Sequence, residues 1–488
     1  MIDINLDFSF WQLALLIVDY AIKIVAIGFV PENRRPSSST AWLLAILLLP
    51  FVGLPLFLLM GSNWINGRRH EVQKRALERV SSVQDNTPAH SSASLHPEIE
   101  SIIKLNRRLT GFPSAVGHNM GLHANYNQAI DEMVRAIDEA ESYVYVEIYI
   151  VSWDEATGEF FNALRRAVER GVKVKLLFDQ IGSWKYPGYW TLGRRLDKLG
   201  VEWRLMLPLQ IHKGRFRRPD LRNHRKLVVI DGNRGFIGSQ NLIKRQYKTR
   251  DRKWIDYMVE LTGPIVTSIE TIFAVDWYLE SEEALEITPL PEDRGDAPDA
   301  NILQLVPSGP GFTAEPNLRL FNSLVHHAKE RLVLVSPYFV PDESLLEAVT
   351  SACYRGVRVE LYVSEEADQF MVNHAQSSYY QVLLEAGVTI YQFPKPYVLH
   401  SKFMLADPGI DGRDPIAAFG SSNMDMRSFG LNYESTMMAV RGDIIGQLNE
   451  LAHNYRAVCH KLTLEEWNER GWGRRYVDNV MRLTSALQ

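Results

Sequence analysis

One short motif occurs twice in this chain, and the repetition limits the fold more than any other feature. Each copy has the pattern HxKxxxxD and is followed by GSxN. The copies consist of His224, Lys226, Asp231, Ser239 and Asn241, and of His400, Lys402, Asp407, Ser421 and Asn423. Chance supplies about a few hundredths of one HxKxxxxD match in a chain of this composition. Two copies that are each followed by GSxN therefore indicate a duplicated unit.

The sequence around the motifs repeats as well. In the first half, a strand-like segment (143–150) precedes a helical pattern (157–169) and an Arg-Gly-Val sequence that begins at Arg170. In the second half, the corresponding features are 332–336, 344–354 and Arg355. The Arg-Gly-Val segments are 185 residues apart and the motif histidines 176 apart. This order of elements predicts two duplicated α/β halves, each with a mixed sheet under helices, that form a pseudo-dimer.

The paired motifs suit attack on a phosphodiester. A neutral imidazole can attack phosphorus to form a phosphohistidine, while a protonated imidazole supplies the proton that the leaving alcohol needs. On a strand, a Lys two residues after a His points to the same face and can bind phosphate oxygens. Asn241 and Asn423, with Ser239 and Ser421, are candidates to donate further hydrogen bonds to the phosphate.

The aspartates complete the motif, so we count Asp231 and Asp407 among the candidate catalytic residues. Each lies seven residues after its His, beyond a short apolar stretch. That spacing favours a role in holding the end of the strand over contact with substrate.

These paired motifs resemble the phospholipase D superfamily. The resemblance implies that one His from each half meets the other at a shared cleft, and that an acidic residue orients each His. By their positions after the GSxN segments, Asp256 is the candidate partner for His224 and Glu434 for His400. The alternative is that both are ordinary strand-edge carboxylates. No His or Cys spacing indicates a zinc site, so we expect no metal and no cofactor.

The N-terminus carries two apolar runs, about 8–30 and 42–60. The second has 19 residues without a charged or polar side chain, long enough to cross a hydrocarbon core of roughly 30 Å. Because it contains Pro50, Gly53 and Pro55, it is either a kinked span or a re-entrant segment. We predict a membrane helical hairpin, and the alternative is a buried hairpin of a soluble protein.

Basic residues predict the orientation of this hairpin. The connection between the runs has two, Arg34 and Arg35, and the flank after the second run has five between residues 68 and 79. The positive-inside rule then places both ends, and the catalytic halves, in the cytoplasm. Two cysteines in 488 residues are consistent with a reducing compartment.

The net charge of the chain is small, but its basic residues are clustered. The formal net charge is −5, which gives no signal for nucleic-acid binding. Basic residues cluster at 212–226 and 244–253, on either side of the first motif. Such clusters are often solvated surface, but beside a phosphate site they favour attraction of anionic substrate or of an anionic membrane.

Within the superfamily, the N-terminal segment resembles that of the bacterial cardiolipin synthases with two membrane spans. The resemblance rests on residues 41–44, 49–50, 53, 61 and 67–69, and on the sequences around both motifs. It implies transfer of a phosphatidyl group between two phosphatidylglycerol molecules, which yields cardiolipin and glycerol, by a multi-pass protein of the bacterial cell membrane. The alternatives are a hydrolytic phospholipase D, a transferase with another alcohol acceptor, and a non-catalytic lipid-binding scaffold. A homo-oligomer is compatible with the sequence.

The predicted domain bounds follow from these features. They are a transmembrane hairpin (1–66), a juxtamembrane region and linker (67–118), a first half (119–290), and a second half with a helical tail (291–488). The tail from Leu464 onward alternates apolar and basic residues, which fits either an interfacial helix or a surface helix packed on the second half. Of the two histidines, we expect His224 to be the nucleophile, because its half is the more basic one and positive charge disfavours imidazolium.

Overall fold

The architecture is taken from a computed structural model. It describes residues 10–32, 34, 36–61, 72, 75, 95–210, 215–216, 218–248, 251–287, 300–312, 314–367 and 369–483. Within the predicted juxtamembrane region and linker (67–118), residues 67–71, 73–74 and 76–94 lie outside these residues.

Helices occupy both ends of the chain and alternate with strands in each half. They are α1 (Phe10–Phe29), α2 (Pro36–Leu48), α3 (Pro50–Leu56), a π-helical turn (Phe57–Gly61), α4 (Pro97–Thr110), α5 (Tyr126–Asp138), α6 (Gly158–Glu169), α7 (Gln180–Trp184), α8 (Tyr189–Leu199), α9 (Ile265–Ser281), α10 (Pro316–His327), α11 (Glu343–Tyr354), α12 (Phe370–Ala386), α13 (Met426–Gly430), α14 (Asp443–Val458), α15 (Leu464–Asn468) and α16 (Trp472–Arg482).

The strands divide evenly between the halves. The first half has β1 (Ser114–His123), β2 (Tyr143–Ile148), β3 (Lys173–Asp179), β4 (Glu202–Met206), β5 (Leu209–Gln210), β6 (Arg215–Phe216), β7 (Arg222–Asn223), β8 (Lys226–Ile230), β9 (Arg234–Gly238), β10 (Lys253–Ile255) and β11 (Met258–Thr262). The second half has β12 (Ala300–Ser308), β13 (Arg331–Val335), β14 (Phe339–Val340), β15 (Arg358–Ser364), β16 (Thr389–Phe393), β17 (Tyr397–Leu399), β18 (Phe403–Ala406), β19 (Ile416–Gly420), β20 (Met424–Asp425), β21 (Asn432–Arg441) and β22 (His460–Leu462).

One mixed sheet runs through both halves. Its order is β22-β16-β15-β13-β18-β19-β21-β12-β1-β11-β9-β8-β2-β3-β4. From the centre outward, the halves have the same succession, so β1 corresponds to β12 and β8 corresponds to β18. The two central strands pair antiparallel, with Ser114 opposite Gln304 and His118 opposite Ala300, as a pseudo-twofold axis between them requires. The predicted α/β fold with two duplicated halves is confirmed.

Alternation along the strands builds a core on each face of the sheet. In β8, Leu227 and Val229 join a core that α9 and α14 cover. Val228 and Ile230 point to the other face, where α5 and α6 pack. The first of these cores contains residues of both halves. Its burial of apolar area therefore stabilises the pseudo-dimer as one unit.

The two N-terminal apolar runs fold differently from each other. Helix α1 is 20 residues long and apolar, with only 6% of its most hydropathic stretch buried within the protein. The second run ends one helix at Leu48 and begins another at Pro50. The α3 helix folds back so closely that a Cβ on Gly53 would lie 2.5 Å from the Ala45 carbonyl oxygen. Only glycine is compatible with this approach.

The two ends of the second apolar run lie close to each other. The Arg34 guanidinium, just before α2, donates to the carbonyl oxygen of Gly61, where the run ends. Arg218 and Asp220 of the first half also act electrostatically on Arg34. Both ends of the run therefore lie on the side of the catalytic halves. This arrangement fits the re-entrant alternative for the second run.

The C-terminal tail packs on the second half. Asp478 of α16 accepts hydrogen bonds from His374 Nδ1 of α12 at 2.6 Å and from Arg470 at 2.7 Å. These contacts favour the packed surface helix over a helix held only by lipid.

Candidate active site

The two halves exchange short strands beside the motif histidines. Strand β7, just before His224, pairs with the start of β21 in the other half, and His224 N donates to Tyr433 O at 2.8 Å. In the same way β10 pairs with β17, and His400 N donates to Ile255 O at 2.8 Å. Each motif His is therefore hydrogen bonded to the backbone segment that carries the acidic residue of the opposite half.

This exchange crosses the His–carboxylate pairs. His224 Nδ1 lies 3.0 Å from Glu434 Oε1, and His400 Nδ1 lies 2.6 Å from Asp256 Oδ1. The expected pairing of Asp256 with His224 and of Glu434 with His400 is wrong. The residues chosen are the ones that contact the histidines, but the partners are reversed because the acid-bearing segment of each half pairs across the interface.

The two imidazoles face each other across one cleft. Their ring centroids are 6.4 Å apart and their planes are inclined by 87°. Since each Nδ1 contacts a carboxylate, each Nε2 is the nitrogen left for chemistry in the cleft. Tyr149 packs edge-on against His224 at 5.0 Å and helps to hold that ring. The separation leaves room for one phosphorus centre between the two rings.

The motif lysines lie directly behind the histidines. Lys226 and Lys402 are 0% and 1% exposed, and each ammonium donates to the backbone carbonyl of its own motif histidine. Burial lowers the pKa of Lys226 to about 8 and holds that of Lys402 well below its ordinary value. The two ammonium groups therefore form a buried, positively charged floor beneath the cleft. A bound anionic phosphate would stabilise their charge.

Burial also keeps the two imidazoles neutral. It lowers the pKa of His224 to about 4 and that of His400 to about 3, against the opposing effect of each carboxylate, and the two lysines add to the decrease. The carboxylates remain ionised. Despite their burial, contacts with His400 and His224 hold the pKa of Asp256 and of Glu434 below the ordinary range.

The serines of the GSxN segments donate hydrogen bonds to the carboxylates that contact the histidines. Ser239 Oγ donates to Asp256 Oδ1 and Ser421 Oγ donates to Glu434 Oε2, both at 2.6 Å. Their expected role in binding phosphate is therefore wrong, because these hydroxyls are fully buried and already donated. Ser428, which the sequence reasoning missed, donates to Glu434 Oε1 at 2.9 Å.

The asparagines of the GSxN segments lie in the wall of the cleft. Asn241 and Asn423 both line the cavity that contains the two histidines. Their amide nitrogens lie 3.2 Å from Tyr247 Oη and 3.1 Å from Tyr338 Oη. Those tyrosines fix the amide orientation.

The motif aspartates lie away from the reacting groups. Asp231 accepts hydrogen bonds from three consecutive backbone amides, at residues 141–143, each at 2.8 Å. Asp407 does the same at residues 329–331. Both follow the end of the strand opposite to the motif histidine, about 16 Å along the strand from the motif lysine. Counting them as catalytic is wrong, and their role in holding a strand end is the one their contacts support.

A buried polar network beneath His224 was also missed. Glu147 of β2 is fully buried and accepts a hydrogen bond from Asn223 Nδ2 at 2.6 Å. Arg225 pairs with Asp276 of α9 and donates to the Glu434 carbonyl oxygen at 3.1 Å. A charged residue within the apolar run 143–150 was the only available signal for this network.

Much of the first basic cluster is neutralised within the protein. Arg218 pairs with Asp220 at 2.5 Å and Arg222 with Asp179 at 3.1 Å. Residues 212–214 and 217 of this cluster lie outside the described part of the chain. Among the described residues, no group of three or more His, Cys, Asp or Glu is placed to hold a metal ion.

The segments that match known protein families correspond to the N-terminal region and to the two halves of the fold. The family model described as "Cardiolipin synthase, PLD-like domain" matches residues 133–277 and 322–455, and a "Phospholipase_D-nuclease N-terminal" model matches 20–61. Cardiolipin synthase A of Proteus mirabilis (strain HI4320) is 31% identical over 96% of this chain and 97% of its own length.

The chain belongs to the cardiolipin synthase family. Another family member, the cardiolipin synthase of Halalkalibacterium halodurans, is 30% identical over 98% of this chain and 95% of its own. The crystal structure of phosphatidylserine synthase from Haemophilus influenzae Rd KW20 covers 79% of this chain with a TM-score of 0.56 and 13% identity. That likeness establishes the shared phospholipase D-like fold.

The two histidines are buried in their neutral form. We therefore predict that the folded protein loses stability in acid. Their pKa values are lowered on folding, so the unfolded chain binds more protons below pH 6.5 and stability falls as pH drops from about 6.5 toward 4. Glu434 and Asp256 extend the loss below that range. We expect about 1–2 kcal/mol per histidine at pH 5.

The measurement is the Tm of detergent-solubilised protein between pH 7.5 and 5. The matched variant is His224→Asn/His400→Asn, which should show a flatter profile than the wild type. Equal slopes for the two proteins would contradict the assignment.

Proposed function

We propose that the chain is a cardiolipin synthase that transfers a phosphatidyl group between two phosphatidylglycerol molecules. The observation that carries the proposal is the pair of imidazoles, 6.4 Å apart and each held by a carboxylate of the opposite half. Family membership supports this acceptor over other alcohols. The products are cardiolipin and glycerol, and no cofactor takes part.

Two in-line displacements complete the reaction. Nε2 of His224 attacks phosphorus, the bond to glycerol oxygen breaks, and the imidazolium of His400 protonates the leaving glycerol. Neutral His400 then accepts the proton of a hydroxyl on the second lipid, whose oxygen displaces His224. The anionic phosphodiester offsets the charge of the two lysines, so its binding raises the pKa of the acid histidine above the value in the empty cleft.

Hydrogen bonding supports a division of the two roles. Burial depresses both imidazole pKa values to a similar extent, so it does not separate them. The Glu434 charge is dispersed over hydrogen bonds from Ser421 and Ser428 as well as His224. Asp256 accepts from Ser239 and contacts His400 through one oxygen, and its other oxygen has no partner among the described residues. Its charge is more available to stabilise an imidazolium, which supports His400 as the acid and His224 as the nucleophile.

The deciding experiment gives purified protein phosphatidylglycerol labelled in the headgroup and analyses the products. Cardiolipin and free labelled glycerol in equal amounts are expected. Phosphatidic acid as the main product would support a hydrolase, and a new phosphatidyl ester that forms only with another alcohol would support a different transferase. The His224→Asn variant is the control, and equal turnover by that variant would support a scaffold.

We propose further that the protein crosses the cell membrane once, through α1, with the catalytic halves in the cytoplasm. Helix α1 is about 30 Å long at 1.5 Å per residue, whereas the second run folds back on itself. All seven basic residues that flank the runs then lie on the catalytic side, and the N-terminal flank has none, as the positive-inside rule favours. The two-span hairpin gives a weaker division of five against two.

Cysteine labelling separates these topologies. With Cys353 and Cys459 replaced by serine, Ser9→Cys should react with a membrane-impermeant maleimide in intact spheroplasts. Ser38→Cys, at the start of the second run, should react only after permeabilisation. A two-span hairpin with both ends in the cytoplasm predicts the reverse pattern.

A further inference from the structure

Large apolar side chains are exposed on both sides of the cleft mouth. In the first half, residues 185–188 line the cavity, Trp184 directly before them is exposed, and Trp190 just after them is 80% exposed. In the second half, Met371 lines the cavity and is exposed, and Phe370 beside it is 67% exposed. Both segments follow equivalent strands, β3 and β15. They therefore border the cleft from opposite sides, one from each half.

Helix α16 presents a further apolar surface. Trp472, Tyr476 and Val480 recur at every fourth position, so they follow one face of the helix, and all three are exposed. We call these three residues the α16 stripe. The opposite face packs on the protein, where Asp478 is buried and Met481 packs against the core of the second half. A helix packed on a soluble protein usually turns a polar face outward, whereas the outer face of α16 is apolar.

The α16 stripe continues the apolar surface at the cleft mouth. Asp478 accepts a hydrogen bond from His374 of α12, and the Arg482 guanidinium lies 5.1 Å from the ring centre of Tyr379. These contacts show that α16 runs beside α12 in the same direction. The start of α16 therefore lies beside the start of α12, where the Phe370 ring contacts His374 at 4.4 Å.

The outward charge of α16 is positive. The helix contains three arginines, at 474, 475 and 482, and one acidic residue, Asp478. That carboxylate is buried between His374 and Arg470. Exposed aromatic and apolar side chains beside arginines are the composition of helices that lie in the interfacial layer of an anionic membrane.

The N-terminal apolar segment lies next to the same cleft. Pro219 lines the cavity, and its neighbours Arg218 and Asp220 act electrostatically on Arg34, at the start of the second apolar run. A segment that enters the membrane therefore begins beside the cleft wall. This position orients the cleft mouth toward lipid.

We propose that this exposed apolar rim docks into the interfacial layer of an anionic bilayer. The rim comprises Trp184, Trp190, Phe370, Met371 and the α16 stripe. Docking would let a lipid headgroup reach the histidines while its acyl chains stay in the bilayer, which avoids the cost of exposing them to water. This surface goes beyond the proposed function, because α1 alone holds the catalytic halves near the membrane without fixing which face is turned to it.

The first test measures contact with lipid in the full-length protein. With Cys353 and Cys459 replaced by serine, Tyr476→Cys is labelled with an environment-sensitive fluorophore in nanodiscs that contain phosphatidylglycerol. Its emission should shift to shorter wavelength. Lipid with a spin label near the top of the acyl chain should quench more than about half of it, since the apolar face of an interfacial helix lies roughly 5–10 Å deep.

The matched control is Tyr354→Cys in the same background. Tyr354 is 75% exposed, but it ends α11 before β15 begins and so lies at the edge of the sheet opposite to the cleft. Its probe should show neither the shift nor the quenching. Equal quenching at both positions overturns the docking surface. A shift at Tyr476→Cys without quenching also overturns it, because a protein partner would then cover the stripe.

The second test separates access to a bilayer from chemistry. In proteoliposomes, Trp472→Glu/Tyr476→Glu should form cardiolipin from long-chain phosphatidylglycerol at least about tenfold more slowly than the wild type, because two interfacial aromatics are lost to charge. Turnover of a short-chain phosphatidylglycerol, dissolved as monomers, should be retained. Tyr354→Glu should change neither rate.

Two results of this second test are decisive. An equal loss on both substrates overturns the proposal, since the helix would then serve the folded cleft and not the bilayer. Wild-type protein whose Tyr476→Cys probe contacts lipid, but which forms no cardiolipin from either substrate, supports the docking surface and overturns only the proposed function.

Discussion

His400→Ala enzyme should accumulate a covalent phosphatidyl-enzyme when the substrate has a leaving group that needs no proton, such as a nitrophenol ester. With phosphatidylglycerol, the same variant should turn over about 10²–10⁴ times more slowly than the wild type, which is the usual contribution of general acid–base catalysis. The reason is that His224 can still attack, while glycerol departs without a proton and the acceptor hydroxyl keeps its own.

His224→Ala is the matched variant for this experiment. It should form no covalent intermediate with either substrate, because no nucleophile remains in position. Intact-protein mass spectrometry after an acid-free quench measures the adduct, since phosphohistidine is acid labile. An adduct on His400 in the His224→Ala protein, together with none in the His400→Ala protein, would exchange the two roles.

Removal of an acidic partner should impair the histidine of the opposite half. Asp256→Asn should resemble the His400 variants, with a large loss of turnover and retained covalent capture of the activated substrate. Glu434→Gln should resemble the His224 variants and fail in capture, because the attacking imidazole loses its orienting carboxylate. We expect losses of about 10²–10⁴ in turnover, the range that general acid–base catalysis contributes and that each orienting carboxylate supports.

Double variants make this test quantitative. His400→Ala/Asp256→Asn should be little slower than His400→Ala alone, since residues that act as a unit are not additive. His400→Ala/Glu434→Gln should in addition lose capture of the activated substrate. If Asp256→Asn abolished capture and Glu434→Gln preserved it, the carboxylates would act within their own halves, against the contacts at 2.6 and 3.0 Å.

The sequence by itself determined the duplication, the α/β class of each half and the identity of the two histidines and two carboxylates. Each of these depends on local pattern. The strand at 143–148 and the helix at 158–169 follow from side-chain alternation and helical periodicity within a few residues of one another. The repeated spacing then required two equivalent units.

Only the tertiary structure decided which carboxylate serves which histidine. Within the chain, Asp256 is 32 residues from His224 and 144 from His400, so sequence distance favours the wrong partner. The exchanged pairing of β7 with β21 and of β10 with β17 decides the matter through backbone hydrogen bonds between segments far apart in the chain. No local pattern encodes which two edges meet.

The same reason applies to the serines and the second apolar run. Ser239 and Ser421 are suitable donors for phosphate by composition, and only their fold places carboxylates 2.6 Å away. The prolines predicted a break in the second run, but the direction of the chain after Pro50 depends on the packing of Gly53 against Ala45.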